Sequence, residues 1–127
     1  MGKLYFRHGA MNSGKSTTLL QAAHNYEERG QSVLIAKPAI DAKGGNTIVS
    51  RLGVAREVDF AVEADENLRD TFNMARAELK SRSGEDVACL LLDEAQFLSR
   101  DQVDQALEIA VLDNVPVLAF EIGRAHV

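Results

Sequence analysis

Gly9 and Gly14, separated by four residues and followed at once by Lys15 and Ser16, are the first residues in this chain whose types and spacing suggest chemistry. The pattern G-x-x-x-x-G-K-[ST] suits an anion. Its glycines allow a tight turn, its backbone N–H groups wrap phosphate oxygens, its Lys adds charge and its hydroxyl reaches Mg²⁺. Gly9, Met11, Asn12, Ser13, Gly14, Lys15 and Ser16 are therefore expected around the phosphates of a nucleotide. The rival reading is a tight turn with no ligand.

A second group lies far along the chain, where the apolar run Leu90-Leu91-Leu92 ends abruptly in Asp93-Glu94. Two adjacent acids at the mouth of a buried strand repel each other and lose hydration, a cost most readily offset by a cation or a reacting proton. In nucleotide sites of this kind Mg²⁺ bridges the phosphates, held by the motif hydroxyl and by a carboxylate at the end of a separate strand. Ser16 and Asp93 are the expected pair. If the strand continues through both acids, their side chains point to opposite sides, leaving Glu94 to act as general base or positioner. The rival reading is a pair of solvated acids at a strand end. The residues alone leave the nucleophile open: water would make an ATPase, a substrate hydroxyl a small-molecule kinase.

The elements that must hold these groups are legible in the apolar pattern. Leu4-Tyr5-Phe6 reads as a short strand ending near His8 and Gly9. A helix begins inside the motif, with Leu19, Ala22, Ala23 and Tyr26 on one face, and closes at Gly30. Its free N–H groups and dipole would face the phosphates. The continuous runs 33–36, 87–92 and 115–120 read as strands buried on both faces of a parallel sheet. An amphipathic helix is expected over residues 65–82, with Leu68, Phe72, Ala75 and Leu79 inward. A second follows a capping box at Ser99 and Gln102, with Val103, Ala106, Leu107 and Ala110 as its buried stripe. Between 41 and 62 the pattern is less regular: a turn at Gly44-Gly45-Asn46, a short strand over 47–50, and Val58, Phe60 and Val62 alternating as a half-exposed strand. The fold expected is α/β, a P-loop NTPase-like parallel sheet flanked by helices.

A chain of 127 residues suffices for one domain with a real core. Its net charge of −5, without a block of consecutive Lys or Arg, argues against nucleic acid or an anionic membrane as the main partner. No apolar run approaches the ~20 residues of a membrane span, and no secretion signal opens the chain, so a cytoplasmic protein is expected. The single Cys89 sits in an apolar run and reads as a small hydrophobe with no metal or redox role.

Two segments, Met11 to Ser16 and Asp93-Glu94-Ala95-Gln96-Phe97, give the chain up to Phe120 a close resemblance to the cellular, tetrameric (type II) thymidine kinases. The resemblance implies ATP-dependent phosphorylation of the 5′-hydroxyl of thymidine, a salvage route to DNA precursors. It also implies that Lys15 and the backbone of Met11 to Thr17 bind ATP, that Ser16 and Asp93 meet Mg²⁺, and that Glu94 is the catalytic base. Phe97 would lie against thymine; a core residue at the foot of a helix is the alternative. The family's D-x-R element reads Asp41-Ala42-Lys43 here, so either Lys43 or nearby Arg51 would assist the phosphates, unless both are solvated surface charges. The family's homotetramer is implied for the full-length enzyme. Its structural Zn²⁺ is not carried over, because the sequence lacks the cysteines. Residues 1–120 are expected to be the incomplete ATP-binding domain, possessing the base but not the lid over thymidine. Residues 121–127 have no family likeness, and one back-translation of them matches a sequencing-library adapter, so a non-native tail is expected there. An ATPase using Glu94 to activate water and an inactive ATP-binding fragment are the two alternatives.

Overall fold

The computed structural model describes residues 2–9, 15–39, 47–49 and 55–122. Among these, five strands form one sheet in the order β1-β7-β6-β2-β5. They are β1 (Leu4–Gly9), β2 (Ser32–Pro38), β5 (Phe60–Val62), β6 (Val87–Leu92) and β7 (Val117–Ile122). Every pairing in that sheet is parallel, so all five carboxyl ends share one edge. Two short strands, β3 (Thr47–Val49) and β4 (Ala55–Glu57), pair antiparallel beside it.

Parity along the strands divides the core into two layers. Leu34, Ala36, Leu90, Leu92, Val117 and Ala119 meet Leu68, Phe72, Leu79, Ala106 and Ile109 on one face. These belong to α2 (Leu68–Ser83) and α3 (Arg100–Val111). Val33, Ile35, Cys89, Leu91 and Phe120 meet Leu19 and Ala23 of α1 (Lys15–Glu28) on the other. The result is the expected α/β arrangement, a parallel sheet flanked by helices. Phe72 is fully buried, and a side chain of that size contributes roughly 1.5–3 kcal/mol through removal from water. Burial pushes the Cys89 thiol up to about 11, so it remains protonated and inert at neutral pH.

Helix ends follow local chemistry. After α1, Gly30 adopts φ +76°, its N–H donating to Glu27 O while Gln31 N–H donates to Tyr26 O, a Schellman closure that only glycine adopts without strain. The helix α2 begins at Leu68 rather than 65 because Asn67 caps it, its side chain accepting from Asp70 N–H at 3.0 Å. Such a cap contributes about 1 kcal/mol. The capping box at Ser99 and Gln102 is formed as expected.

Three expectations need correction. The buried stripe of α3 is Gln102, Ala106, Ile109 and Ala110, whereas Leu107 is half-exposed. Gln102 turns the helix: its buried amide donates to Glu63 O and Glu66 O and accepts from Ser99 N–H, rotating Leu107 outward. Residues 58, 60 and 62 do not form one half-exposed strand. Asp59 breaks it, its carboxylate accepting from Ile35 N–H at 2.7 Å, so β4 stays with β3 while β5 joins the main sheet beside β2 with Val62 buried. Finally, β7 begins at Val117, since Val115-Pro116 forms the approach and Pro116 O accepts from Leu90 N–H.

Candidate active site

The carboxyl edge of the sheet carries Gly9 at the end of β1, the start of α1, and Asp93-Glu94 after β6. The strand β1 ends at Gly9, and α1 starts at Lys15 on the face that carries Leu19 and Ala23. The chain leaves β6 toward the opposite face, through the single 3₁₀ turn Ala95–Phe97 into α3. Departures to opposite faces open a crevice at the carboxyl ends, the position where open α/β sheets hold ligands. One strand, β7, lies between β1 and β6, so their ends are about 10 Å apart. That separation leaves room for a phosphate chain.

Asp93 is only 5% exposed. Its parity matches Cys89 and Leu91, which places it on the face of α1. Its N–H donates to Ala36 O at 2.8 Å, extending the β2–β6 ladder by one bond. The expectation that strand geometry runs through both acids fails at the next residue. Regular pairing stops at Leu92, and Glu94 has φ +55° and ψ +40°, the left-handed conformation. What separates the two carboxylates is a turn, not strand alternation. It is held by Glu94 N–H donating to Asp93 Oδ1 at 2.9 Å, by Phe97 N–H donating to Glu94 O at 3.0 Å, and by Leu98 N–H donating to Ala95 O at 3.1 Å. Left-handed backbone at a residue with a Cβ costs on the order of 1–3 kcal/mol and survives where surrounding contacts enforce it, commonly at functional sites.

Phe97 is 51% exposed, which removes the alternative of a core residue. It presents a half-open ring three residues from Glu94. Its turn is anchored from behind by Gln102 and Ser99, whose contacts bind the start of α3 to the loop before α2. A bidentate pair, Arg69 to Asp113 at 2.9 and 3.1 Å, joins α2 to the far end of α3.

The remaining expected residues divide cleanly. Gly9 closes β1, and Lys15, Ser16 and Thr17 form the first turn of α1 by their backbone. Their side chains, together with Met11, Asn12, Ser13, Gly14, Lys43 and Arg51, lie outside the described residues. Two clefts occur among the described residues. One of about 400 Å³ lies at the amino end of β2, and one of about 360 Å³ runs along α1 beside β1 and β7; neither includes Asp93 or Glu94.

Among the described residues no group of three or more His, Cys, Asp or Glu converges as a metal cage. One buried carboxylate suits Mg²⁺ nonetheless, because that ion binds through one or two carboxylates and otherwise takes substrate phosphates and waters.

Sequence reasoning missed Lys37. It is the one charged residue in the apolar run of β2, is 8% exposed, and stands at the strand's carboxyl end. The signal was present: as Asp93 interrupts the apolar run of β6, Lys37 interrupts that of β2.

A family model described as thymidine kinase matches residues 2–123. The chain belongs to the thymidine kinase family. It is similar to the thymidine kinase of Idiomarina loihiensis, 46% identical over 124 residues that make up 96% of this chain and 60% of that protein. Similarity to the thymidine kinase of Enterobacteria phage T4 is 43% over 94% of this chain and 59% of that protein. The thymidine kinase of Ruegeria pomeroyi gives 46% over 94% and 58%. The chain thus spans about 60% of the length of the curated relatives it matches. The match to the family covers β1 through β7 and so includes both the glycine motif and the acidic turn. None of the described helices is long and apolar enough to cross a membrane.

Proposed function

We propose that this chain carries the ATP-phosphate site and the catalytic carboxylate of an enzyme that phosphorylates the 5′-hydroxyl of thymidine. The observation that carries the proposal is the family match across residues 2–123, which embraces Gly9 to Ser16 and Asp93-Glu94 together. The whole protein is proposed to act in the cytoplasm as a homotetramer.

In this reading the backbone of Met11 to Thr17 and the Lys15 ammonium hold the ATP phosphates, aided by Lys43 or Arg51. Ser16 and Asp93 are the residues that would hold Mg²⁺, which supplies charge neutralisation along the phosphates when bound. Phe97 stacks on thymine. Glu94 accepts the proton of the 5′-hydroxyl as its oxygen bonds to the γ-phosphorus. The bond from that phosphorus to the β–γ bridging oxygen breaks, and ADP leaves with the electron pair. Glu94 then releases its proton to solvent. Catalysis is mainly positioning and electrostatics, since the transferred phosphoryl group needs little covalent help.

The test is a coupled ADP-release assay with and without thymidine. Thymidine-dependent release with equimolar thymidine monophosphate is expected. Equal release without thymidine would make the protein an ATPase in which Glu94 orients water, and ATP binding with no release would make it a binding module.

A further inference from the structure

Lys37 is more than nine-tenths buried, yet among the described residues it forms no ion pair. Burying an ammonium without a counter-charge is costly, so such a residue calls for an anion that arrives from outside the fold. Its position says which one. Val33 and Ile35 pack in the α1 layer, and Lys37 continues that parity two residues on, so its side chain lies on the face of α1. It stands at the carboxyl end of β2, immediately beside β6, whose Leu92 pairs with Ala36 and whose next residue is Asp93. The helix α1 starts at this same edge and face, with its N-terminal N–H groups and positive dipole end facing outward. No fully buried side-chain nitrogen or oxygen among the described residues lacks a partner, so the Lys37 ammonium keeps some of the residue's small exposure and stays within reach of a ligand.

We propose that Lys37 is a second phosphate-binding cation, reaching the terminal phosphate of a nucleoside triphosphate whose other phosphates sit on the N-terminus of α1. The proposal rests on the nucleotide-site reading above. Between α1 and the Asp93-Glu94 turn, the group nearest β2 is the end of the phosphate chain that faces the acids. A fixed ammonium there offsets the repulsion between that phosphate and the buried Asp93 carboxylate. It also favours triphosphate over diphosphate, which lacks the group contacted.

The experiment is calorimetric titration of the 127-residue chain with ATP and with ADP, both with Mg²⁺, for the wild type, Lys37→Met, Lys37→Gln and Lys15→Ala. Lys37→Met keeps the length of the stem and removes the charge. It is expected to weaken ATP about tenfold or more with little change for ADP, so the ATP-over-ADP preference falls by about the same factor. Without nucleotide its thermal midpoint is expected to equal or exceed that of the wild type, because an uncompensated buried charge has been removed. Lys37→Gln, which retains a polar end, is expected to show the same fall in preference. An unchanged ATP-over-ADP preference in both variants, with Lys15→Ala weakening both nucleotides, would remove Lys37 from an otherwise sound phosphate site. A lowered midpoint with unchanged preference would make Lys37 structural and likewise overturn the proposal. Unaltered binding in Lys15→Ala would instead overturn the underlying site reading.

Discussion

In the full-length enzyme, Glu94→Gln is expected to lower thymidine-dependent ADP release by roughly 10²- to 10⁴-fold, the range that a positioned general base contributes, while ATP affinity stays within about twofold. The substitution preserves size and removes only the ability to take a proton. It also leaves in place the two backbone bonds of the turn at residue 94, from its N–H to Asp93 Oδ1 and from Phe97 N–H to its C=O. Because Gln and Glu share the same Cβ and Cγ stem, the left-handed backbone costs both the same, folding should be unaltered, and a thermal midpoint close to wild type is the control. A rate within tenfold of wild type would exclude Glu94 as the base. A large loss of ATP affinity instead would assign Glu94 to binding.

Lys15→Ala is expected to weaken ATP by about 10- to 100-fold, the equivalent of one or two charge-assisted hydrogen bonds, and to leave adenosine affinity unchanged. The contrast is the informative part. The helix dipole and the loop N–H groups remain in the variant, so some phosphate affinity survives; what is lost scales with the number of phosphates on the ligand. Comparing adenosine, AMP, ADP and ATP by fluorescence competition checks this. A uniform loss across all four would mean that the substitution disturbed the fold or the adenine contacts. No loss for ATP would place the phosphates elsewhere.

How much of this was legible in the sequence depends on which physical signal each residue carried. Continuous apolar runs gave the parallel strands, because a strand buried on both faces has no polar alternation to confuse the pattern. Gly30 and the Ser99–Gln102 box marked helix ends because their chemistry is local. The stripe of α3 was misread because Gln102 is polar by type but buried through two hydrogen bonds to distant backbone, at Glu63 and Glu66, beside its local one from Ser99, and no local pattern encodes the distant pair. The break at Asp59 escaped for the same reason: its carboxylate serves a backbone N–H on β2, 24 residues earlier. In the candidate site, the motif and the acidic pair were readable from residue type. The left-handed backbone at Glu94 was not, since a non-glycine residue gives no sign of it. Lys37 was readable in principle, as a charge at the end of an apolar strand, and became noticeable only once parity placed it on the face of α1.

In the proposed site, Asp93 and the N-terminus of α1 hold one Mg²⁺–triphosphate between them. Titration of Mn²⁺ followed by the spectroscopic signal of the free ion, in the presence and absence of ATP, tests it most directly when the wild type is compared with Asp93→Asn. Tight Mn²⁺ binding by the protein is expected to require ATP, and Asp93→Asn to weaken it about tenfold or more, as for a charged ligand made neutral. Mn²⁺–ATP bound equally well by the wild type and Asp93→Asn would contradict it.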